Sequence, residues 1–482
     1  MENTGNFIGG QWVRPVSGET YNLFSPANTA DLIGAFPKSA PEDMERAVEC
    51  AAQAAREWGR LSPVTRGEIL RRAARLIEER TNAIAVDLAR EVGKPLFEAR
   101  GEVARAASIF DFYAGEGRRL GGETLSGSEE DVILLTQRRP LGVVGLITPW
   151  NFPIAIPAWK MAPALIAGNA VVIKPASVAP LTCTHLVRCV VEAGLPPGVV
   201  NVVVGPGQTL GEALVRHPVA AISFTGSTEN GRKLQVKAAE RGLKTQLEMG
   251  GKNPFIVMPD ADLEKAADLV AAGAFYYAGQ KCSATSRAIV LDSVYQEFTS
   301  IVVDRAKNLV VGDPLREDVR MGPVIHEWAM NDILGYIAKG LEQGGEILCG
   351  GHRLTGDEYD RGWFVAPTVI TGVRPDSTVA QEEIFGPVLT VIQAGDFEQA
   401  IAIANGVRYG LVAGIATKDM TNARRFMDEV EAGILMINRM TAGMEPHVPF
   451  GGLKDSGAGQ KEQGRIALDF FTDVQTVYWK LP

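Results

Sequence analysis

Cysteine and histidine are both scarce in this 482-residue chain, and neither is spaced like a set of metal ligands. The histidines form no HExxH pattern and no ligand spacing with cysteine, so we expect no structural or catalytic zinc site. The cysteines are odd in number and scattered, with no CxxC pair, which favours free thiols in a reducing cytoplasm. They are Cys50, Cys183, Cys189, Cys282 and Cys349.

Long apolar runs and long basic runs are absent as well. No apolar run reaches about 18 residues, so the sequence predicts no membrane span. Residues 1–6 lack a basic segment followed by an apolar one, so we expect no signal peptide and a cytoplasmic protein. A net charge of −9 and a pI near 5.4, without clustered Lys and Arg, argue against nucleic acid as a partner.

The composition and patterning are those of a globular α/β protein. With 46% hydrophobic and 22% charged residues, a chain of 482 residues is long enough for two or three domains. Residues 142–231 alternate β-branched runs with helical periods, which is typical of βαβ units around a parallel sheet. The predicted strands of this region are Val143–Ile147, Ala170–Ile173, Val199–Val204 and Ala221–Phe224. A second α/β domain is predicted from strands at Pro254–Val257, Arg287–Leu291 and Val388–Gln393.

Helical periods dominate the chain before the first sheet. An Ala-rich amphipathic helix is predicted from Pro41 to about Trp58, with acidic residues in the first turn, where the helix dipole favours them. A second helix is predicted from Pro63 to Glu79. Residues 83–115 continue in helical periods that are interrupted near Lys94, which lies between a glycine and a proline.

Two short stretches carry the chemistry that we expect of the chain. Cys282 lies among small and polar residues after an apolar run that ends at Tyr277, a setting that favours a reactive thiol. Glu248 follows Leu247 and precedes Met249 and two glycines, which suits a carboxylate base. A buried inert cysteine and a charged strand end before a turn are the alternative interpretations of the same residues.

Two glycine turns and a lysine indicate a nucleotide site at the carboxyl ends of the predicted strands. The turn 205–211 opens a helix, but its third glycine is one residue late for a GxGxxG fingerprint. The turn 224–231 can present backbone N–H groups and hydroxyls to a pyrophosphate, unless it is an ordinary strand-to-helix turn. Lys174 ends a buried strand where a ribose would lie, and Pro175 fixes the direction of the turn that follows.

Seven motifs in one order resemble the aldehyde dehydrogenase superfamily from end to end. This resemblance implies an aldehyde dehydrogenase fold, with a Rossmann-like cofactor domain, an α/β catalytic domain and a small β oligomerisation arm. The motifs are Thr148-Pro149-Trp150-Asn151-Phe152-Pro153, Lys174-Pro175-Ala176-Ser177, Phe224-Thr225-Gly226-Ser227, Leu247-Glu248-Met249-Gly250-Gly251-Lys252, Gly279-Gln280-Lys281-Cys282, Glu383-Ile384-Phe385-Gly386-Pro387 and Pro449-Phe450-Gly451-Gly452.

The resemblance implies a mechanism in which Cys282 attacks the aldehyde carbon. Asn151 and the backbone N–H of Cys282 would hold the oxyanion, and Glu248 would activate water to release the product. A glutamate at position 248 favours release of the free acid over transfer to coenzyme A. Glu462 matches an acid assigned to a proton relay with Lys174.

The same resemblance implies an NAD or NADP site. Glu383 would grip the nicotinamide ribose and Phe385 would pack near the ring. Relatives strict for NAD tend to carry a glutamate where this chain has Ser177, so we expect NADP to be accepted at least as well as NAD. The expected cofactor-binding residues are Thr148, Trp150, Lys174, Ser177, Gly207, Gly211, Phe224, Gly226, Ser227, Met249, Gly250, Glu383 and Phe385.

Finer resemblance concerns the substrate. The segments 113–119, 146–160 and 437–449 resemble most the group that oxidises α-ketoglutaric semialdehyde to 2-oxoglutarate. Succinic semialdehyde dehydrogenases, or an enzyme of broad specificity, are the alternative. Such substrates carry a carboxylate, for which Arg439 is the expected anchor and His447 the next candidate, although arginines in loops are mostly exposed. The expected tunnel lining is Phe152, Trp159, Tyr276 and Phe450.

The resemblance also divides the chain. Residues 1–119 and 141–250 would form the cofactor domain, and residues 251–449 the catalytic domain. Residues 120–140 and 450–482 would form the oligomerisation arm and the C-terminal segment, giving a homodimer or homotetramer.

Two other classes of protein are alternatives to an active aldehyde dehydrogenase. A cysteine hydrolase or amidotransferase would also use Cys282, but it needs a histidine base, and none of the five histidines lies in a recognisable partner motif. A catalytically silent relative would keep the fold and lose the thiol or its base. Cys282, Glu248, Asn151 and Lys174 are all present.

Overall fold

The computed structural model describes residues 5–482. The expectation about a signal peptide therefore lies largely outside the described residues. Over residues 5–482, no helix combines the length and the apolar character that crossing a membrane requires.

Helices and strands alternate along most of the chain. The helices are α1 Pro41–Arg60, α2 Pro63–Glu79, α3 Thr81–Val92, α4 Leu96–Glu116, α5 Ala155–Ala167, α6 Leu181–Glu192, α7 Gly207–Arg216, α8 Thr228–Ala239, α9 Leu263–Phe275, α10 Tyr295–Lys307, α11 Glu327–Glu342, α12 Thr378–Gln381, α13 Phe397–Asn405, α14 Met420–Glu429 and α15 Ala467–Phe470. The strands are β1 Asn6–Ile8, β2 Gln11–Val13, β3 Thr20–Phe24, β4 Leu32–Pro37, β5 Thr124–Leu125, β6 Val132–Pro140, β7 Val143–Ile147, β8 Ala170–Lys174, β9 Val200–Val202, β10 Ala221–Thr225, β11 Lys244–Glu248, β12 Asn253–Val257, β13 Thr285–Leu291, β14 Glu346–Cys349, β15 Thr368–Thr371, β16 Val388–Ala394, β17 Tyr409–Gly410, β18 Val412–Ala416, β19 Ile434–Ile437, β20 Leu453–Lys454, β21 Gly457–Ala458 and β22 Thr472–Lys480.

The first sheet has eight strands in the order β2-β1-β9-β8-β7-β10-β11-β21, and its central strands are parallel. Parallel strands end at one edge of a sheet, where α/β proteins bind their ligands. Thr148 follows β7, while Lys174, Thr225 and Glu248 end β8, β10 and β11. The strand order therefore brings four polar residues that are distant in sequence to one edge.

The second sheet has seven strands in the order β14-β15-β16-β13-β12-β18-β19. Six of its strands, β15, β16, β13, β12, β18 and β19, are parallel, and apolar side chains of the connecting helices pack against them. The chain passes from the first sheet to the second between Glu248 and Asn253, and the site residues lie where the two sheets meet.

A small three-stranded sheet, β22-β6-β5, extends from the two larger ones. Strands β22 and β6 pair antiparallel over their whole length, from Thr472 opposite Pro140 to Lys480 opposite Val132. The predicted C-terminal segment 450–482 is not all part of this arm, because β21 joins the first sheet beside β11. The domain division itself stays a prediction, which the membership of the strands supports.

Candidate active site

A tight turn holds the cysteine. Tyr277, Ala278 and Gly279 follow α9 with φ values of +57°, +52° and +66°, a conformation that is costly for the two residues with a Cβ. A Cβ on Gly279 would lie 2.1 Å from the carbonyl oxygen of Gly386, so only glycine fits there. The buried Gln280 side chain accepts a hydrogen bond from the Ile325 N–H at 2.8 Å. The close approach of Gly386 and the hydrogen bond from Ile325 thus fix the conformation of the turn.

Cys282 is half-buried and packs beside the cluster of Leu411, Val412 and Phe450. Burial, followed by the charges of Glu383 and Glu248, raises the pKa of its thiol to about 12, while a backbone hydrogen bond from Ser283 opposes this shift. The thiol is therefore protonated at neutral pH. The role of Cys282 as a reactive thiol stays a prediction, and in this structure desolvation outweighs the polar neighbours that the sequence shows.

Asn151 lies against the cysteine turn. Its side chain is buried, and Nδ2 donates to the carbonyl oxygen of Gln280 at 3.1 Å. This bond uses one of the two amide N–H groups and leaves the other one. The backbone N–H of Cys282 has no acceptor within residues 5–482. Two donors on separate segments are thus available beside the thiol.

A buried ion pair supports the Asn151 segment. Lys94 and Glu102 pair with side chains that are each 1% exposed, and Lys94 Nζ also donates to the Asn151 carbonyl oxygen at 2.8 Å. Glu102 Oε1 accepts the N–H groups of Ile154 and Ala155, both at 3.1 Å. The pair fixes the segment on which Asn151 lies. From the sequence, Lys94 was identified only as part of an interruption between two helices, and its contact with the Asn151 segment was not predicted.

Glu248 lies buried at the end of β11. Its pKa is raised well above the usual range, first by burial and then by the charge of Glu462, against the opposing charges of Lys160 and Lys461. Its Oε2 atom has no hydrogen-bond partner. This environment therefore favours the protonated acid, and Glu248 acts as a base only once that proton has left.

Glu462 and Lys174 make no direct contact, so the relay between them stays a prediction. Glu462 forms a fully buried ion pair with Lys160 of α5 and accepts the Nε1–H of Trp159 at 2.7 Å. Lys174 donates instead to the neighbouring carbonyl oxygen of Pro175 at 2.9 Å. Lys160 is the one charged residue in an otherwise apolar and buried helix, a sequence signal that could have identified it.

The edge of the first sheet has the polar groups that a dinucleotide needs. Lys174 is buried without a carboxylate partner, and burial lowers its pKa to about 8. The buried hydroxyls of Thr148 and Thr225 have no hydrogen-bond partner. Ser227 caps α8, whose N-terminus favours an anion. These unsatisfied groups fit a ligand with ribose hydroxyls and phosphates.

Glycines hold the expected cofactor surface open. A Cβ on Gly207, at the start of α7, would lie 3.7 Å from Lys174 Nζ, and Gly211 follows one turn later. A Cβ on Gly226 would lie 2.6 Å from the ring of Phe224, against which the turn folds. Met249 is buried, and its backbone N–H donates a hydrogen bond to the Ser456 carbonyl oxygen at 2.8 Å.

Glu383 links the two sheets at the expected nicotinamide end. Its Oε1 accepts the Gly251 N–H at 2.9 Å, and a Cβ on Gly250 would lie 2.1 Å from Oε2. Burial raises the pKa of Glu383 to about 7. Next to it, Phe385 meets Trp150 edge to face, with ring centroids 5.4 Å apart. The structure thus brings these predicted cofactor residues together.

Ser177 lies half-buried in the turn after β8. Its carbonyl oxygen accepts the hydroxyl of Tyr21 at 2.5 Å, which fixes the turn. No carboxylate side chain occupies position 177, so nothing at this position repels a ribose phosphate.

Two of the four expected tunnel aromatics, Trp159 and Phe450, share contacts beside the cysteine. The rings of Trp159 and Phe450 lie 5.6 Å apart, and Phe450 belongs to the cluster against which Cys282 packs. Phe152 faces Lys94 Nζ at 3.8 Å. Tyr276 meets Phe97 edge to face at 5.6 Å.

The expected carboxylate anchors do not enter this cluster. Arg439 is exposed and has no hydrogen bond or ion pair within residues 5–482. It follows Asn438, whose side chain bonds instead to the backbone of Thr417. His447 is also exposed, with its ring 6.5 Å from that of Phe112. The exposure of Arg439 does not support its prediction as the anchor and fits the alternative of a surface arginine in a loop.

Comparison with known proteins identifies the class. The aldehyde dehydrogenase family profile matches residues 12–477, and the chain belongs to this family. Its relatives include the Alpha-ketoglutaric semialdehyde dehydrogenase of Bacillus subtilis, 46% identical over 98% of both chains. The Alpha-ketoglutarate semialdehyde dehydrogenase of Haloferax volcanii is 45% identical, again over 98% of both chains. The crystal structure of Staphylococcus aureus betaine aldehyde dehydrogenase with NAD⁺ superimposes with a TM-score of 0.96 at 34% identity, covering 99% of this chain and 95% of that one.

The chain is therefore an NAD(P)-dependent aldehyde oxidoreductase, as its resemblance indicates. Its histidines offer no support for a cysteine hydrolase. His185 pairs with Asp87 at 2.8 Å, and His326 stacks between Trp328 and Trp363. In the described part of the chain, no histidine contacts Cys282.

Proposed function

We propose that the chain oxidises α-ketoglutaric semialdehyde to 2-oxoglutarate, with Cys282 as nucleophile. Two relatives named for this substrate, each at least 45% identical over 98% of both chains, support the choice of aldehyde. The observation that carries the chemistry is the grouping of the Cys282 thiol, the Asn151 amide and the buried Glu248.

Attack of the Cys282 sulfur on the aldehyde carbon forms a C–S bond and turns the carbonyl oxygen into an oxyanion. The second N–H of Asn151 and the free N–H of Cys282 stabilise that oxyanion, each by about 3–4 kcal/mol. The negative oxygen makes the C–H bond a hydride donor. Loss of the hydride leaves a thioester on Cys282, and water then hydrolyses it to the free acid and the thiol.

The number of protons that Cys282 and Glu248 share follows from the repulsion between their negative charges. Glu248 and Cys282 each raise the cost of ionising the other, so together they hold at most one negative charge. In molecules in which Glu248 is ionised, a proton passes from the thiol to this carboxylate as the sulfur attacks. Glu248 then releases that proton to solvent. Once the thioester has formed, sulfur carries no charge, and the ionised Glu248 can take a proton from the attacking water.

Lys174, Ser177, Thr148, Thr225 and Glu383 would hold the dinucleotide along the sheet edge. When bound, its nicotinamide accepts the hydride that the oxyanion releases. Because Ser177 offers no negative charge and Lys174 adds a positive one, we propose that NADP serves at least as well as NAD.

The arm formed by β6 and β22 supports a homodimer or homotetramer. Val474, Tyr478 and Trp479 are 61%, 75% and 56% exposed on β22, and such apolar strands can extend the sheet of another copy. Light scattering would give the number of copies. The five free cysteines support function in a reducing compartment such as the cytoplasm.

The test is a panel of aldehydes assayed with each cofactor. α-Ketoglutaric semialdehyde should give the highest kcat/KM, above succinic semialdehyde and above uncharged aldehydes of similar length. A higher value for succinic semialdehyde would replace the proposed substrate with the alternative one. Equal values for all aldehydes would indicate broad specificity.

A further inference from the structure

Arg105 lies half-buried in α4 and forms no direct ion pair within the described residues. Its NH2 donates to Gln463 Oε1 at 2.8 Å and its NH1 donates to the Met444 carbonyl oxygen. Both acceptors are neutral. No carboxylate of residues 5–482 forms an ion pair with it, and its buried Nε has no partner. Glu445 and Glu102 stabilise the charge only at longer range, so a partly buried cation is left with neutral hydrogen-bond acceptors and an unpaired Nε. An anionic ligand bound directly to the guanidinium would offset the cost of that burial.

The position of Arg105 connects it to the cysteine site. Its Cζ lies 5.7 Å from the ring of Trp159, which in turn contacts Phe450. Met444, whose carbonyl oxygen Arg105 binds, packs against the same cluster as Cys282. Burial lowers the pKa of Arg105, while the charges of Glu445, of Glu102 and then of a Cys282 thiolate act in the opposite direction. The cation is therefore within electrostatic reach of the reacting sulfur.

Gln463 adds a second donor to the same group. Its side chain is fully buried, and Nε2 has no hydrogen-bond partner. Because Gln463 Oε1 binds Arg105, the two unpaired donors belong to side chains in direct contact. A 2-oxo acid presents a carboxylate beside a carbonyl oxygen, which matches an arginine fork beside an amide N–H.

We infer that Arg105 binds the substrate's carboxylate and that Gln463 orients Arg105 and donates to the adjacent 2-oxo oxygen. This inference rests on the proposed function, which supplies a substrate with both groups. It replaces Arg439, which is exposed and outside the aromatic cluster. Arg105 is thus the residue that distinguishes charged from uncharged aldehydes, and Gln463 distinguishes 2-oxo from plain semialdehydes.

Three aldehydes of equal chain length test the inference: α-ketoglutaric semialdehyde, 5-oxopentanoate and pentanal. In Arg105→Gln, kcat/KM should fall about 10–100-fold for both charged substrates, mainly through KM, because charge-assisted hydrogen bonds are lost. Pentanal should be nearly unaffected. Arg105→Lys should lose less, since it keeps the charge without the fork. Arg439→Gln is the matched control and should leave all three unchanged.

Gln463→Met should lower kcat/KM for α-ketoglutaric semialdehyde more than for 5-oxopentanoate, because only the former has the 2-oxo oxygen. Binding gives a second measurement: 2-oxoglutarate should raise the melting temperature of the wild type but not of Arg105→Gln. Equal losses for charged aldehydes and pentanal, or no loss for any, would overturn the role of Arg105 alone. A wild type that does not prefer charged aldehydes would overturn the proposed function with it.

Discussion

Lys160 and Glu462 form a buried ion pair that joins helix α5 to the C-terminal segment, with side chains that are 0% and 1% exposed. The same carboxylate raises the pKa of Glu248, whereas the Lys160 charge lowers it. The two residues that join these parts of the fold therefore also influence the pKa of Glu248, the expected base.

Breaking this ion pair from one side should destabilise the protein. Lys160→Met or Glu462→Gln alone leaves a buried charge without its partner, at a cost of about 3–5 kcal/mol. The double variant should be closer to the wild type, because no unpaired charge remains. Thermal unfolding of the four proteins measures the coupling. Additive losses would show that the two residues do not act as a pair.

Removing the thiol should abolish aldehyde oxidation and spare cofactor binding. Cys282→Ala and Cys282→Ser lack the sulfur that forms the thioester, while Lys174 and Glu383, which would hold the dinucleotide, are unchanged. Reduced cofactor is followed by absorbance and binding by fluorescence titration. Cys349→Ala, at a half-buried cysteine on β14, is the control and should keep full activity. Activity in both Cys282 variants would refute the mechanism.

Replacing the base should separate the two halves of the reaction. In Glu248→Gln, thioester hydrolysis slows, so a single burst of reduced cofactor should survive while steady turnover falls by about 10²–10⁴-fold. Stopped-flow absorbance resolves the burst from the steady rate. If neither changes, Glu248 does not activate water.

The acid limb of the pH profile should lie above the ordinary range of a glutamate. Glu248 acts as a base only when ionised, and burial raises its pKa, so kcat should fall as pH drops through that raised value. Lys461 lowers the pKa of Glu248, so Lys461→Met should move the limb to still higher pH. A limb near pH 4 in both proteins would contradict this.

Cofactor preference should follow the charge at position 177. Ser177→Glu places a carboxylate where it repels a 2′-phosphate and can accept hydrogen bonds from the ribose of NAD. The ratio of kcat/KM for NADP over NAD should therefore fall. Ser177→Ala is the control and should keep the ratio of the wild type. A wild type that cannot use NADP would refute the prediction.

The sequence by itself determined the elements of the fold and the identity of the main site residues. The strand Val143–Ile147 was predicted at its observed bounds, and the other predicted strands end within two residues of the observed ones, because β-branched runs between turns are local signals. The helical periods of 83–115 divide at Gly93, whose φ of +72° ends α3. Motifs of a few contiguous residues identified Cys282 and Glu248 for the same local reason.

Only the tertiary structure decided which side chains meet and which ionise. Glu462 lies 302 residues from Lys160, and Arg105 lies 358 residues from Gln463, so no local pattern links them. Arg439 looked suitable because its neighbours matched, but exposure depends on how the whole chain packs. The pKa of Cys282 likewise follows from burial, since desolvation and the charges of Glu248 and Glu383 act only once the sheets have come together.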